Sequence, residues 1–280
     1  MKKVLNVLFY AVMIIILILV LFPIIYTFLA SFKSNAEILV NPGKVFPEHF
    51  TFENYKIAWN AEDFDVKRLV WNSTYYTAIC VCMALLKSSM AGYVFARAEF
   101  PGKKIMFTAF SALLFIKLGS ITVYPLFNIL NKIHLNKSLF GLIVVKVFSI
   151  PVVYIYLVKS FVTALPKELD EAAKIDGCSF AGTFFRVIAP LLKPVMATIG
   201  ILSFKNTWNE YLMPTIFTLG NPSQRTLIAG VVALKSTGNA ASSWNLMLAG
   251  SVIALIPVLL VYTFANKFFV TGLASGAVKG

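Results

Sequence analysis

From Val4 to Phe32 the chain carries no charged residue. A run of that length exceeds what a soluble core asks of one element, and it constrains the fold strongly. A helix that crosses the hydrocarbon of a bilayer needs about 20 mostly apolar residues. Inside lipid the backbone must satisfy its own polar groups, which leaves helices or closed barrels. A secretory signal would have an apolar stretch of about 7–15 residues and a small-residue cleavage site. This run is longer and lacks Ala-x-Ala, so it reads as a retained first span.

Five more stretches meet the same test. The six expected spans are residues 5–31, 69–95, 105–130, 138–162, 195–217 and 246–269. The fold class this predicts is an all-α polytopic membrane protein with six transmembrane helices and both termini on one side. Composition agrees: 13% of residues are charged, against about 25% in soluble domains. Counting Lys and Arg with the N-terminus inside puts twelve on the cytoplasmic side and nine outside, which favours N-in/C-in. The formal charge of +13 is then explained by basic residues flanking spans and facing anionic lipid, and nucleic acid is not an expected partner.

With no repeat, low-complexity tract or heptad run, the chain is expected to be one transmembrane domain over residues 1–280. Its parts are a first span at 5–31, an extracytoplasmic loop at 33–68, core spans over 69–269 and a polar loop at 163–194. The first loop holds six acidic residues with Pro42, Gly43 and Pro47, and should form a small folded cap. Cys80 and Cys82 lie two apart in an apolar span and point away from each other on a helix. With two histidines, His49 and His134, no zinc pattern can be drawn, so neither a disulfide nor a metal site is expected.

The loop at 163–194 is the most informative segment. Pro166 suits the start of a helix. Glu168, Asp170 and Glu171 favour the positive end of its dipole. Gly177 suits its C-terminus, and Ser179 can cap a second helix running to about Ile188. Two short amphipathic helices joined by a tight turn make a docking surface, not a linker. The spacing Glu171-Ala172-Ala173, then Gly177 and Pro190, resembles the Glu-Ala-Ala loop of binding-protein-dependent ABC importer permeases, with Val187 and Ala189 in place of the usual Ile and Leu. Further stretches resemble the maltose-permease-like, carbohydrate-uptake branch. They are Phe46 to Tyr55, Asn72-Ser73, Ala91 to Arg97, Trp208-Asn209-Glu210 and the tail from Gly272 to Gly280.

That resemblance implies a multi-pass subunit of the bacterial inner membrane with no catalytic residues. It implies a homologous permease as the other half of a heterodimer, two ATPase subunits that carry ATP and Mg, an extracytoplasmic solute-binding protein and an oligosaccharide substrate. No cofactor is expected on this chain. Glu168, Glu171, Ala172, Ala173, Asp176 and Gly177 would form the ATPase-coupling helix. Glu171 would pair with a basic residue of the ATPase, and Ala172 and Ala173 would allow close approach. The sequence itself lacks a phosphate-binding G-x-x-x-x-G-K-[ST], so the energy source belongs on another chain.

Lys87, Lys117, Lys146 and Lys205 fall inside expected spans, where a central lysine costs roughly 2.5–3.5 kcal/mol on insertion scales. Only Glu210 lies toward a span interior, five residues from Lys205 and poorly placed for it. The four ammonium groups are therefore expected to meet acids on the partner permease, or to line a wet cavity that takes anions. Lys117 and Lys205 sit near the midplane, where transporter substrates bind. They lead a candidate pathway with Asn206, Trp208, Asn209 and Tyr211, and an acidic, uronate-containing sugar is the expected substrate. A neutral oligosaccharide or a glycerol-phosphate-type anion is the alternative. A secondary transporter or channel subunit would also show six spans and buried charges, but would not need the Glu-Ala-Ala loop.

Overall fold

A computed structural model of the chain describes residues 2–62, 64–116, 119–236 and 242–277, with side chains apart from those of 2–5, 120 and 264–277. Among the described residues every regular element is helical. In chain order they are α1 (Lys2–Ala30), α2 (Asn35–Val40), α3 (Glu53–Asn60), α4 (Val66–Arg97), α5 (Lys103–Ala112), α6 (Val123–Lys132), α7 (Leu139–Phe148), α8 (Val152–Ala164), α9 (Glu168–Ile175), α10 (Phe180–Thr183), α11 (Ala189–Leu191), α12 (Lys193–Trp208), α13 (Leu212–Phe217), α14 (Leu227–Leu234) and α15 (Trp244–Ala277).

Among the described residues, four stretches are long and apolar enough to cross a membrane: Asn6–Ala30, Val66–Arg97, Leu139–Ala164 and Trp244–Thr263. A fifth counts if Phe180–Leu191 and Lys193–Trp208, bent by 77°, form one broken span. The first is apolar all round, and its most apolar 18-residue window buries none of its residues against the rest of the chain, the pattern of a lipid-facing helix.

Where the expected spans are interrupted, a proline stands at or just after each break. Residues 105–130 form two ten-residue helices, α5 and α6, each about 15 Å long and too short to cross alone. Pro125 stands in the first turn of α6, and its ring excludes a helical carbonyl four residues earlier, at Ile121. Pro214 does the same to Glu210, so the stretch 195–217 breaks after Trp208 and resumes at Leu212. Between α7 and α8, Pro151 lacks a backbone N–H and holds Ile150 out of the helical region. Pro257, by contrast, lies within α15 without ending it.

The chain divides into two compact units. One comprises Met1–Val70 with Thr226–Leu259. Here the first loop folds around polar groups. The buried Asn54 amide donates to the Ser31 and Lys33 carbonyls, both at 2.8 Å, and accepts from Asn245 at 2.7 Å. Asn35 donates to the Ser242 carbonyl and accepts from the Trp244 N–H. Lys33 is fully buried, yet its ammonium reaches the Lys44 carbonyl and stands 3.8 Å from Glu37.

The second unit comprises Trp71–Arg225 with Leu260–Gly280. Two apolar clusters lie among its described residues. Tyr76, Cys80, Leu130, Leu139, Leu142, Ile143 and Phe217 pack α4 on α6, α7 and α13. Tyr93, Val158, Val162, Phe184, Ile188, Leu192 and Ile199 pack the other end of α4 on α8 and on the segment following α9. Gly92 makes that second contact possible, since a Cβ there would lie 2.5 Å from the Val158 Cβ. Cys80, Cys82 and Cys178 are all free thiols.

Candidate functional site

The loop at 163–194 is built as its residue types require. Lys167 is the N-cap of α9, with Pro166 one position earlier, and Glu168, Asp170 and Glu171 fill the first turn. The helix closes in a Schellman turn: the Cys178 N–H donates to the Ala173 carbonyl at 2.9 Å, and the Gly177 N–H to that of Lys174 at 3.1 Å. Gly177 has φ +80°, the left-handed geometry this turn needs. The Ser179 hydroxyl then caps α10 by accepting from the Gly182 N–H. The chain runs on through a π-helical turn at Phe184–Ile188 into α11.

The two faces of α9 differ. Glu168, Glu171, Ala172, Ile175 and Asp176 recur at helical spacing and are exposed; Ile175, a large apolar side chain, is 86% exposed. Ala173 is only 3% exposed and packs inward. The sequence reading gave both alanines to a partner, but the chain itself covers Ala173, leaving Ala172 to face outward. Asp170 also turns inward. Its Oδ2 stands 2.8 Å from the Arg97 Nε as a close ion pair, not an aligned hydrogen bond, and its Oδ1 accepts from the Tyr93 hydroxyl at 3.1 Å. Arg97 Nη2 also donates to the Leu165 and Pro166 carbonyls at 2.9 and 3.2 Å. Sequence reasoning credited Asp170 only with favouring the helix dipole. The signal available was Arg97, a single guanidinium closing an apolar span.

A second polar cluster lies at the helix breaks of the same unit. Lys87 on α4 points its ammonium at the open end of α7, donating to the carbonyls of Lys146 (2.7 Å), Val147 (3.0 Å) and Ser149 (2.6 Å). The break before Pro151 releases those carbonyls, and the negative end of the α7 dipole favours a cation there. Lys146 extends its own ammonium to Glu210, 3.2 and 3.0 Å from its two oxygens. The Tyr76 hydroxyl donates to the same carboxylate at 3.0 Å. Of the two expected arrangements, acids on the partner permease or a wet cavity, the first is not needed by Lys87 and Lys146: Lys146 pairs with a carboxylate 64 positions away, and Lys87 is solvated by backbone carbonyls.

The remaining pathway candidates separate. Lys117 lies outside the described residues. Lys205 is exposed at the last turn of α12. Asn206 is exposed and donates to the Tyr154 hydroxyl at 3.2 Å, while Asn209 donates to the Lys205 carbonyl at 3.0 Å and so caps α12. Tyr211 is half exposed at the break. Trp208 is 4% exposed, with its ring stacked on Phe204, and so presents no face for a sugar. Among the described residues no group of three or more His, Cys, Asp or Glu is placed to hold a metal ion.

Comparison with known proteins places this arrangement. A family profile described as "Binding-protein-dependent transport system inner membrane component" matches residues 2–274. The arabinooligosaccharides transport system permease protein AraQ of Bacillus subtilis is 33% identical over 94% of this chain and 92% of its own length. The trehalose transport system permease protein SugB of Mycobacterium tuberculosis is 33% identical over 93% of each chain. A solved structure, titled as a bacterial ABC transporter involved in the import of the acidic polysaccharide alginate, superposes with a TM-score of 0.75 over 96% of this chain and 97% of that one, at 23% identity.

Proposed function

The chain belongs to the family of inner membrane components of binding-protein-dependent transport systems, and from that premise we propose that it forms half of the translocation pathway of an ATP-driven oligosaccharide importer. It is a non-catalytic permease subunit of the inner membrane. In this reading α5 with α6, and α12 with α13, each make one interrupted span, which gives six in all with both termini in the cytoplasm. A homologous permease completes the pathway, a solute-binding protein delivers the sugar from outside, and two ATPase subunits hold ATP and Mg.

The single observation that carries the coupling role is the outward face of α9. Glu168, Glu171, Ala172 and Ile175 form an exposed stripe on a helix closed at its C-terminus and anchored from behind. An exposed isoleucine flanked by carboxylates suits a groove with apolar walls and a basic rim. ATP-driven closure of the ATPases would move this helix as a rigid body.

The substrate reading rests on charge at the helix breaks. Among the described residues of the expected spans, Lys87, Lys146 and Lys205 stand against one carboxylate, Glu210, and Lys205 is exposed beside Asn206 and Asn209. This supports an acidic, uronate-containing oligosaccharide with Lys205 as its cationic contact. One observation favours a neutral sugar instead: Lys87 and Lys146 are already satisfied within the chain. The test is ATP hydrolysis by the assembled transporter with a uronate trisaccharide and with maltotriose. The acidic reading expects stimulation by the uronate, lost in Lys205→Gln. Stimulation by maltotriose alone, unchanged in that variant, discards it and keeps the importer.

A further inference from the structure

Resting on the reading of α9 as the ATPase-docking helix, we propose that Asp170 and Arg97 form a strut that carries the movement of α9 into α4, and that this transmission is separate from docking. Docking belongs to the outward stripe of Glu168, Glu171, Ala172 and Ile175. The strut lies on the opposite face, where those residues do not reach.

The grip on α9 comes from one turn of α4. Arg97 holds both the α9 side chain Asp170 and the backbone entering α9, through the Leu165 and Pro166 carbonyls. Tyr93, four residues earlier and on the same side of the helix, donates to the other Asp170 oxygen. Its ring packs on Phe180 and Phe184, with centroids 4.7 and 5.2 Å away. The Tyr93–Arg97 turn therefore clasps both arms of the loop, before and after Gly177. Side chains of Arg97 and Asp170 are 7% and 22% exposed, so little water competes for the pair.

The same helix reaches the other polar cluster. Lys87, ten residues before Arg97 or about 15 Å along the axis, closes the end of α7. Tyr76, about 30 Å from Arg97 by the same rise, holds Glu210 at the break before α13. Between them α4, a helix of 32 residues in all, runs uninterrupted. A displacement imposed on α9 thus meets a stiff rod that is bonded at Lys87 to the end of α7 and at Tyr76 to Glu210 before α13. Asp170 and Arg97 are positioning residues in this scheme, since neither touches substrate.

The experiment uses the whole transporter in proteoliposomes: this chain, its partner permease, the ATPase and the binding protein. Three quantities are read: ATPase that copurifies, ATP hydrolysed, and sugar taken up from a mixture of maltotriose and a uronate trisaccharide. Asp170→Asn and Arg97→Gln should retain the ATPase and still hydrolyse ATP, while uptake per ATP falls about tenfold, within the range of typical coupling factors. The exchanged pair Asp170→Arg with Arg97→Asp should recover uptake, and Tyr93→Phe, which removes one donor and keeps the ring, should give a partial loss. Wild-type uptake per ATP in both single variants would overturn the strut. So would loss of the ATPase from Asp170→Asn, which would make Asp170 part of docking. Glu171→Ala judges the underlying reading by itself: if that variant keeps the ATPase fully bound and coupled, the docking face is wrong whatever Asp170→Asn does.

Discussion

Replacing Lys87 by methionine removes an ammonium from an apolar helix, and two estimates of the result have opposite signs. If the lysine is a burden, its removal should stabilise the protein by about 2.5–3.5 kcal/mol, the insertion cost of a central lysine. If it caps α7, three hydrogen bonds from a charged donor disappear, at 2.6, 2.7 and 3.0 Å. Bonds of that kind are worth about 1.5–3 kcal/mol each. The lower end applies, because the site is half-buried and the Ser149 carbonyl is exposed. Three such bonds outweigh the insertion term, and the net loss is about 1–2 kcal/mol. Equilibrium unfolding of the purified chain in mixed micelles, followed by circular dichroism, reads this directly. Lys87→Arg, which keeps the charge and donors, should lie between wild type and Lys87→Met. A Lys87→Met protein as stable as wild type, or more so, would refute the capping argument.

Three other outcomes follow from the same geometry. Lys146→Gln and Glu210→Gln should be non-additive in a double-mutant cycle of unfolding free energies. The expected coupling is about 1–2 kcal/mol, below that of a fully buried pair because Lys146 is 36% exposed. Gly177→Val forces a β-branched residue into φ +80° and should cost at least 1–2 kcal/mol; loss of protease resistance in the 165–180 loop would report it. Gly92→Val must displace Val158 from 2.5 Å and should destabilise by about 1–3 kcal/mol, measured as a lower Tm in detergent.

What the sequence disclosed depended on whether the signal was local. Apolar length alone locates α1, α4 and α15, and Pro166, Gly177 and Ser179 mark the helices of the loop because each acts on its own backbone. The breaks are less legible. Ile150-Pro151 and Met213-Pro214 are apolar, so hydropathy runs across them, and proline is tolerated in membrane helices often enough, as Pro257 shows, that its presence does not announce a break. The partners of the lysines were hidden for the same reason. Lys87 bonds to carbonyls that exist as free acceptors only once α7 has ended, and backbone acceptors have no letter in the sequence. Glu210 looked misplaced because Lys205 was its near neighbour, whereas the fold brings it to Lys146. Asp170 was counted with Glu168 and Glu171 as an N-terminal carboxylate. Its inward direction follows from the position of Arg97 at the end of another helix.

The central claim is that this chain couples sugar import to ATP hydrolysis through the outward face of α9. Uptake into proteoliposomes holding the assembled transporter, with ATP inside and no ion gradient, tests it most directly. Uptake should require ATP and the binding protein and be lost in Glu171→Ala together with ATPase association. Uptake driven by a proton or sodium gradient without ATP, or unaffected by Glu171→Ala, would contradict it.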